Sequence, residues 1–260
     1  MKAKRELDRR SFIARGLAAA STALLAGCED LSDQPWVKRV LDSAETLTRV
    51  TQQALLSPQA LAREFSEADI SREFKANGSI NPDDPDYVAH AKNGFADWKL
   101  VVEGLVEQPF EASLAELRAM PSRTQITRHD CVEGWSCIGK WKGVRLSTLL
   151  ERARLKPGAR YIVLYCADTL GRSGTEDDQY YESIGLADAF HEQTILAYEM
   201  NDAVLPIAHG APLRLRVERQ LGYKMAKYVM RIAAVESFAP IRGGRGGFWE
   251  DRGYEWYAGI

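Results

Sequence analysis

From residue 74 onward, segments of strand length and of helix length follow one another without regular alternation. This irregular order constrains the fold more than any other feature of the 260-residue chain. Apolar β-type patterns predict strands over residues 98–106, 160–166, 194–200, 212–218 and 228–238. Helices are expected from Leu114, where Ser113 and Glu116 make a capping box and Pro121 sets the limit, over 146–154, and over 186–193. Residues 74–86, rich in Asn, Gly, Pro and Asp, read as a loop, and Asn201-Asp202 as a turn. A doubly wound parallel sheet needs strand and helix in strict turn. Short helices scattered among strands predict instead an α+β domain over 74–260, built on a mixed sheet.

A helical arm, residues 28–73, is expected ahead of that domain. Trp36, Val40, Leu41, Ala44, Leu47, Val50, Ala54 and Leu55 recur at a helical period, with Asp33 as cap and Pro35 in the first turn. Ser57-Pro58 starts a second helix to about Phe65.

Residues 1–27 read as an address. Arg9-Arg10-Ser11-Phe12-Ile13 is a twin-arginine pattern, and the apolar run 16–26 is too short to span a bilayer permanently. Leu25-Ala26-Gly27-Cys28 matches a bacterial lipobox, which would put lipid on Cys28 and hold the protein at a membrane. An ordinary signal peptide with Cys28 incidental is the alternative. Either way the mature protein is expected outside the cytoplasm, and a route that carries folded proteins suggests a cofactor inserted before export. Of 34 Lys/Arg and 36 Asp/Glu, residues 1–27 hold six and two, so the remainder carries 28 and 34, a net charge of −6. Such a balance argues against a general nucleic-acid binder, which needs a basic face. The short Arg-Gly tract at 242–247 is followed by Phe248, Trp249, Tyr254, Trp256 and Tyr257, a tail expected to fold back on the domain.

The chemistry concentrates in Arg128-His129-Asp130-Cys131-Val132-Glu133-Gly134-Trp135-Ser136, where a β-type run ends at a glycine. Functional residues favour such strand ends. Cys131 is open to three readings: nucleophile, soft-metal ligand, or buried structural thiol. Cys131, Cys137 and Cys166 remain beyond Cys28, an odd number, so at least one thiol is unpaired within the chain; a Cys137–Cys166 disulfide is possible in an oxidising compartment.

The run 128–136, followed by Trp141-x-Gly143-Val144 and Leu149-Leu150, resembles the molybdopterin-binding domain of the sulfite oxidase family. The bacterial branch with the periplasmic methionine-sulfoxide reductase is the most similar. Leu196-Ala197-Tyr198-Glu199-Met200-Asn201, then His209-Gly210-Ala211-Pro212-Leu213-Arg214-Leu215, then Gly222-Tyr223-Lys224-x-x-Lys227 extend the match in order. The resemblance implies one molybdenum–molybdopterin with Cys131 as protein ligand, a soft anionic sulfur for a metal already held by sulfur. Arg128 is expected to help keep that sulfur ionised. Arg214 would contact the cofactor in fork geometry, and Lys227 with Met225 and Ala226 would cradle its phosphate. His209 would contact the ring where the family often has Asn, and Asn77 belongs to an early loop at the cofactor. Cys166 stands where the reductase branch has a threonine lining the site, which leaves it open to three readings: a pocket residue at the cofactor, a second thiol near the metal, or a core residue. The 33 residues after Lys227 are too few for the ~100-residue immunoglobulin-like domain of larger relatives.

The resemblance implies an oxidoreductase that moves an oxygen atom to or from a small oxyanion or sulfoxide-like substrate. Electrons would be exchanged with a cytochrome or membrane haem protein. Two rival readings stand beside it. One is a zinc protein using His129, Cys131 and Cys137, perhaps with Cys166, although Cys-x5-Cys is poor zinc spacing. The other is a non-catalytic lipoprotein that keeps the fold as a binding module.

Overall fold

The computed structural model describes residues 59–171 and 178–260 together with Ser57, Thr175 and scattered residues between Gln34 and Thr51. The signal segment, Cys28 and most of the helix expected at 35–56 lie outside the described residues. Ten strands follow in order: β1 Lys99–Gly104, β2 Phe110–Ser113, β3 Ser122–Asp130, β4 Ser136–Arg145, β5 Tyr161–Thr169, β6 Gln179–Gly185, β7 Ile195–Met200, β8 Ala203–Val204, β9 Arg214–Arg216 and β10 Val229–Val235.

They form two sheets. The first has the order β2-β1-β10-β5-β6; β1 and β10 run parallel and the other neighbours antiparallel. The second has the order β3-β4-β7-β8, with β9 also paired to β7. The architecture is α+β as expected, with no regular βαβ array among the described residues.

Local chemistry explains most of the boundaries. Ser113 Oγ accepts from the Glu116 N–H at 3.2 Å while Glu116 Oε2 accepts from the Ser113 N–H at 2.8 Å, which starts the helix Leu114–Ala119. Helix Leu146–Ala153 buries Leu146, Leu149, Leu150 and Ala153, one face at the helical period. Asn201 and Asp202 both take positive φ, 51° and 62°, as the two-residue hairpin between β7 and β8 requires. β5 is buried on both faces along much of its length, so it reads as a continuous apolar run.

Several elements differ from the sequence reading, among them the strands β2, β4 and β8, which it did not predict. Residues 74–86 are not loop throughout: Pro85 opens the helix Pro85–Lys92, with Asp84 Oδ1 accepting from the Tyr87 N–H at 2.8 Å. The helix expected to reach Phe65 is instead extended among the described residues. Glu64 bridges Thr127 and the Phe65 N–H donates to Ile126 O, so the edge of β3 captures this segment. The helix expected over 186–193 stops at Ala189. β6 is buried on both faces from Tyr180 to Ile184 and carries Glu182 and Ser183 among its apolar residues, so no apolar alternation betrays it.

The C-terminal tail does fold back. Phe248 is buried, Trp256 Nε1 donates to Ser183 Oγ at 2.8 Å, and Gly259 bridges Gln220.

Candidate active site

Cys131 stands on a tight loop. β3 and β4 pair as far as Asp130 and Ser136, leaving residues 131–135 to reverse the chain. Gly134 does so at φ 84°, a region open to glycine, and donates its N–H to the Cys131 carbonyl at 3.0 Å. The Cys131 N–H in turn donates to Trp135 O at 2.9 Å. The half-buried Cys131 lines a cleft.

Both sheets contribute to the cleft walls. The hairpin loop brings Cys131, Val132 and Glu133, the end of β5 brings Asp168 and Leu170, and β6 brings Tyr180. The chain between β9 and β10 adds Gly222, Tyr223, Met225 and Lys227, and the tail adds Trp249 and Tyr254. Asn77, Cys131, Met225 and Lys227, all predicted from sequence, thus line the same cleft, whereas Ala226 is buried, and Arg214 and His209 are not among the residues that line it. Tyr180, Asp168, Trp249 and Tyr254 were not foreseen. Only the aromatic density of the tail hinted at the last two.

Cys166 does not line this cleft. It is fully buried on β5 and borders a separate pocket with Tyr165, Gln179, Arg231 and Arg242. The pairing of β5 shifts register between Tyr165 and Thr169, and the cleft wall takes its β5 contribution from Asp168 instead.

Arg128 also departs from expectation. It pairs with Asp130, Nε to Oδ1 at 2.8 Å, with its side chain half exposed. Burial pushes the Cys131 thiol up, and the Glu133 carboxylate adds to this against a backbone N–H and Lys75. The site by itself does not make a free thiolate, whereas a coordinated metal deprotonates a thiol outright.

A group of buried cations and imidazoles accompanies the cleft. Arg214 and Arg216 share one face of β9, their guanidinium carbons 5.2 and 4.4 Å from the Trp141 ring centre. Arg216 is satisfied: Nε and Nη2 fork onto Glu218 at 2.8 and 2.6 Å, and Nη1 meets His129 Nδ1 at 3.1 Å. Arg214 is not. It is fully buried, donates from Nη1 to His209 O at 3.3 Å, and leaves Nε and Nη2 without acceptors. Burial, reinforced by Arg216, brings its pKa to about 9, so it stays a cation at neutral pH. His209 Nδ1, His129 Nε2 and Asn77 Oδ1 are also buried and unpartnered. Burial, then Arg214 and Lys227, lowers His209 to about 4; burial and the same cations with Arg216 hold His129 neutral.

Lys227 clips the loop beneath the cleft. Its ammonium donates to Asn77 O at 2.7 Å, Ala208 O at 3.1 Å and Ser79 O. Burial, then Arg214, lowers it to about 7, and burial raises Asp168 to about 7 against the attraction of Lys227.

Among the described residues no three of His, Cys, Asp and Glu converge as metal ligands, which corrects the zinc reading. His129 turns Nδ1 to Arg216, and Cys137 Sγ lies 3.7 Å from Glu73 O. Cys131, Cys137 and Cys166 are all free thiols.

A mixed two-sheet fold, a thiol at a cleft and a buried arginine with two unused donors suit a protein that holds an anionic organic cofactor. The profile of the oxidoreductase molybdopterin binding domain matches residues 87–240, and the chain belongs to that family of molybdopterin-dependent oxidoreductases. It is similar to the putative protein-methionine-sulfoxide reductase subunit YedZ1 of Azospira oryzae, 36% identical over 251 residues, which cover 96% of this chain and 87% of that protein. The protein-methionine-sulfoxide reductase catalytic subunit MsrP of Ralstonia nicotianae is 36% identical over 149 residues, 55% of this chain and 45% of that protein. The sulfane dehydrogenase SoxCD of Paracoccus pantotrophus superposes at a TM-score of 0.48 with 24% identity over 55% of this chain and 39% of that one.

The family's cofactor is molybdopterin with molybdenum, and the residues present fit it. Leaving a buried donor unmade costs about 1–3 kcal/mol. Arg214, His209 and His129 leave such donors or ring nitrogens unused in the interior, where Arg214 acts on Lys227, and Lys227 lines the cleft that presents the soft ligand Cys131.

Proposed function

We propose that this chain is the catalytic subunit of an exported sulfoxide reductase, reducing a sulfoxide to a sulfide and water. The observation that carries the reading is Arg214: a fully buried cation with two unused donors, acting electrostatically on Lys227 and His209, next to a cleft that presents Cys131. The names of its reductase relatives supply the substrate class.

Bound molybdenum supplies the oxygen-atom transfer and its two-electron change. The protein's part is placement. Cys131 offers the thiolate ligand. Arg214 would offer its unused Nε and Nη2 to a polar group of the pterin, with His209 Nδ1 and Asn77 Oδ1 as further contacts. Lys227 and Met225, with Ala226 buried beside them, would hold the cofactor's phosphate end. Trp249 and Tyr254 stack at 5.3 Å and give the substrate's apolar carbons a flat surface. Electrons come from a haem partner, a cytochrome or a membrane haem protein. Arg9-Arg10 and the run to Cys28 support twin-arginine export and a lipid anchor at Cys28.

The test compares Cys131→Ser with Cys137→Ser for molybdenum and pterin content, electronic spectrum, and turnover of a sulfoxide with a reduced-dye donor. Cys131→Ser should lose turnover and change the metal's spectrum while keeping pterin; Cys137→Ser should retain both properties. Normal turnover with an unchanged spectrum in Cys131→Ser would sink the reading. A wild-type protein that binds pterin but turns over nothing would favour the binding module.

A further inference from the structure

Three charged side chains that the chemistry above leaves unused lie together, wholly enclosed. They are Glu182 on β6, Lys224 between β9 and β10, and Glu250 in the tail, each with a side chain 0% exposed. Lys224 Nζ donates to Oε1 of Glu182 and to Oε1 of Glu250, both at 2.5 Å. The two carboxyls are within hydrogen-bonding reach of each other. Glu250 Oε2 is buried and meets no N–H or O–H donor of the protein.

Two carboxylates against one ammonium leave an excess negative charge in a site without solvent. Two facing carboxyls that cannot both ionise share a proton instead. Such a proton removes the excess charge and also provides the missing donor. Burial, and then Glu250, raises Glu182 well above the carboxylate range, in the same direction. The other titratable groups facing the cluster do not replace that proton. Tyr180, Tyr181, Tyr223 and Cys166 are pushed up by burial and stay neutral. Asp188 faces Lys224, Asp168 acts on Tyr180 and Cys166, and Arg242 acts on Tyr181 and Cys166.

One side chain joins the cluster to the cleft. Tyr180 Oη is 3.5 Å from Glu182 Oε2 and donates to the carbonyl of Tyr223. Tyr180 and Tyr223 line the same cleft as Cys131.

We propose that Glu182, Glu250 and Lys224 form a buried proton store, with one proton held between the two carboxyls, and that Tyr180 passes it into the cleft during turnover. The delivery rests on the sulfoxide-reductase reading. Reduction of a sulfoxide breaks the S–O bond and takes up two electrons and two protons to give a sulfide and water. The haem donor provides both electrons. Tyr180 gives its hydroxyl proton to the departing oxygen and recovers one from Glu182, and the open cleft admits the second from solvent. Solvent then refills the store.

The experiment is infrared spectroscopy of the purified holoprotein at about pH 8, far above the ordinary carboxyl range. A carboxylic-acid C=O band is expected in the wild type and should be lost in Glu250→Gln and, separately, in Glu182→Gln. In Tyr180→Phe the band should remain but shift more slowly on transfer to heavy water. Turnover of that variant should fall on the order of a hundredfold, the lower end for a lost general acid. Absence of the band in the wild type, or its survival in both Gln variants, overturns the store. Unchanged exchange and unchanged turnover in Tyr180→Phe overturn the route. The band and its exchange are read without catalysis. A protein that shows both but reduces no sulfoxide therefore upholds the store and its link to the cleft and overturns the assigned reaction.

Discussion

Arg216 Nη1 donates to His129 Nδ1 at 3.1 Å, and neither side chain touches solvent. Because a guanidinium has no lone pair to offer, Nδ1 must be the acceptor, and the hydrogen of the neutral ring sits on Nε2. That nitrogen is buried with no partner. A residue two positions before Cys131 is thus fixed as an N–H donor by a strand 87 residues further along.

Removing Arg216 should be costly. Glu218 is fully buried and would keep only the Gln125 amide, at 2.8 Å, as a side-chain partner. Arg216→Ala is expected to lose about 3–5 kcal/mol, as for a broken buried ion pair. Urea denaturation of the two proteins at one pH measures it; a loss under 1 kcal/mol, the range of surface pairs, would contradict the assignment.

Gly222 permits the close approach of His129. A Cβ added there would overlap the imidazole Cε1 and Nε2 and crowd the Asp130 carbonyl at 3.1 Å. Gly222→Ala should cost about 1–3 kcal/mol, the usual range for overpacking. It should also lower the molybdenum and pterin recovered per protein, since the imidazole must move. Full cofactor content in a stable Gly222→Ala protein would show that this contact is unimportant.

His209 should make the protein acid-sensitive. Its pKa falls from 6.5 to about 4, chiefly through burial and then through Arg214 and Lys227. In the unfolded chain the imidazole takes up a proton as pH drops through 6.5, whereas the folded protein refuses one until about 4. The stabilising preference for the neutral ring is thus complete above 6.5 and is lost as pH falls through that window. His209→Asn keeps donor and acceptor but does not titrate. Its stability, from denaturation curves at several pH values, should decline less between pH 6.5 and 4 than that of the wild type. Equal slopes would refute the assignment.

The thiols should differ in access. In cofactor-free folded protein, iodoacetamide is expected to label the part-exposed Cys131 and Cys137 and to spare Cys166, which is 0% exposed. Loaded protein should lose the Cys131 label alone. Peptide mass spectrometry reads each site, and rapid labelling of Cys166 would argue against its enclosure.

The sequence by itself determined what depends on neighbours a few residues apart. The Ser113–Glu116 box, the apolar face of Leu146–Ala153 and the Asn201-Asp202 turn each follow from local geometry, and each stands as expected. The ordered motif blocks carried the family, and with it the grouping of Cys131, Asn77, Met225 and Lys227 around one cleft. Asp84-Pro85 was an equally local helix signal, hidden inside a stretch rich in loop residues. Only the tertiary structure decided which charges are paired. Arg214 and Arg216 look alike on β9, yet Glu218 and His129 satisfy one and leave the other open. Arg128 was expected at the thiol and turned to Asp130, and Cys166 was expected in the cleft and lies in the interior of the first sheet. The Glu182–Lys224–Glu250 cluster joins a strand, a connecting segment and the tail across 68 positions of sequence, Glu182 to Glu250. Burial and charge pairing depend on which distant segments pack together, so no local pattern could record them.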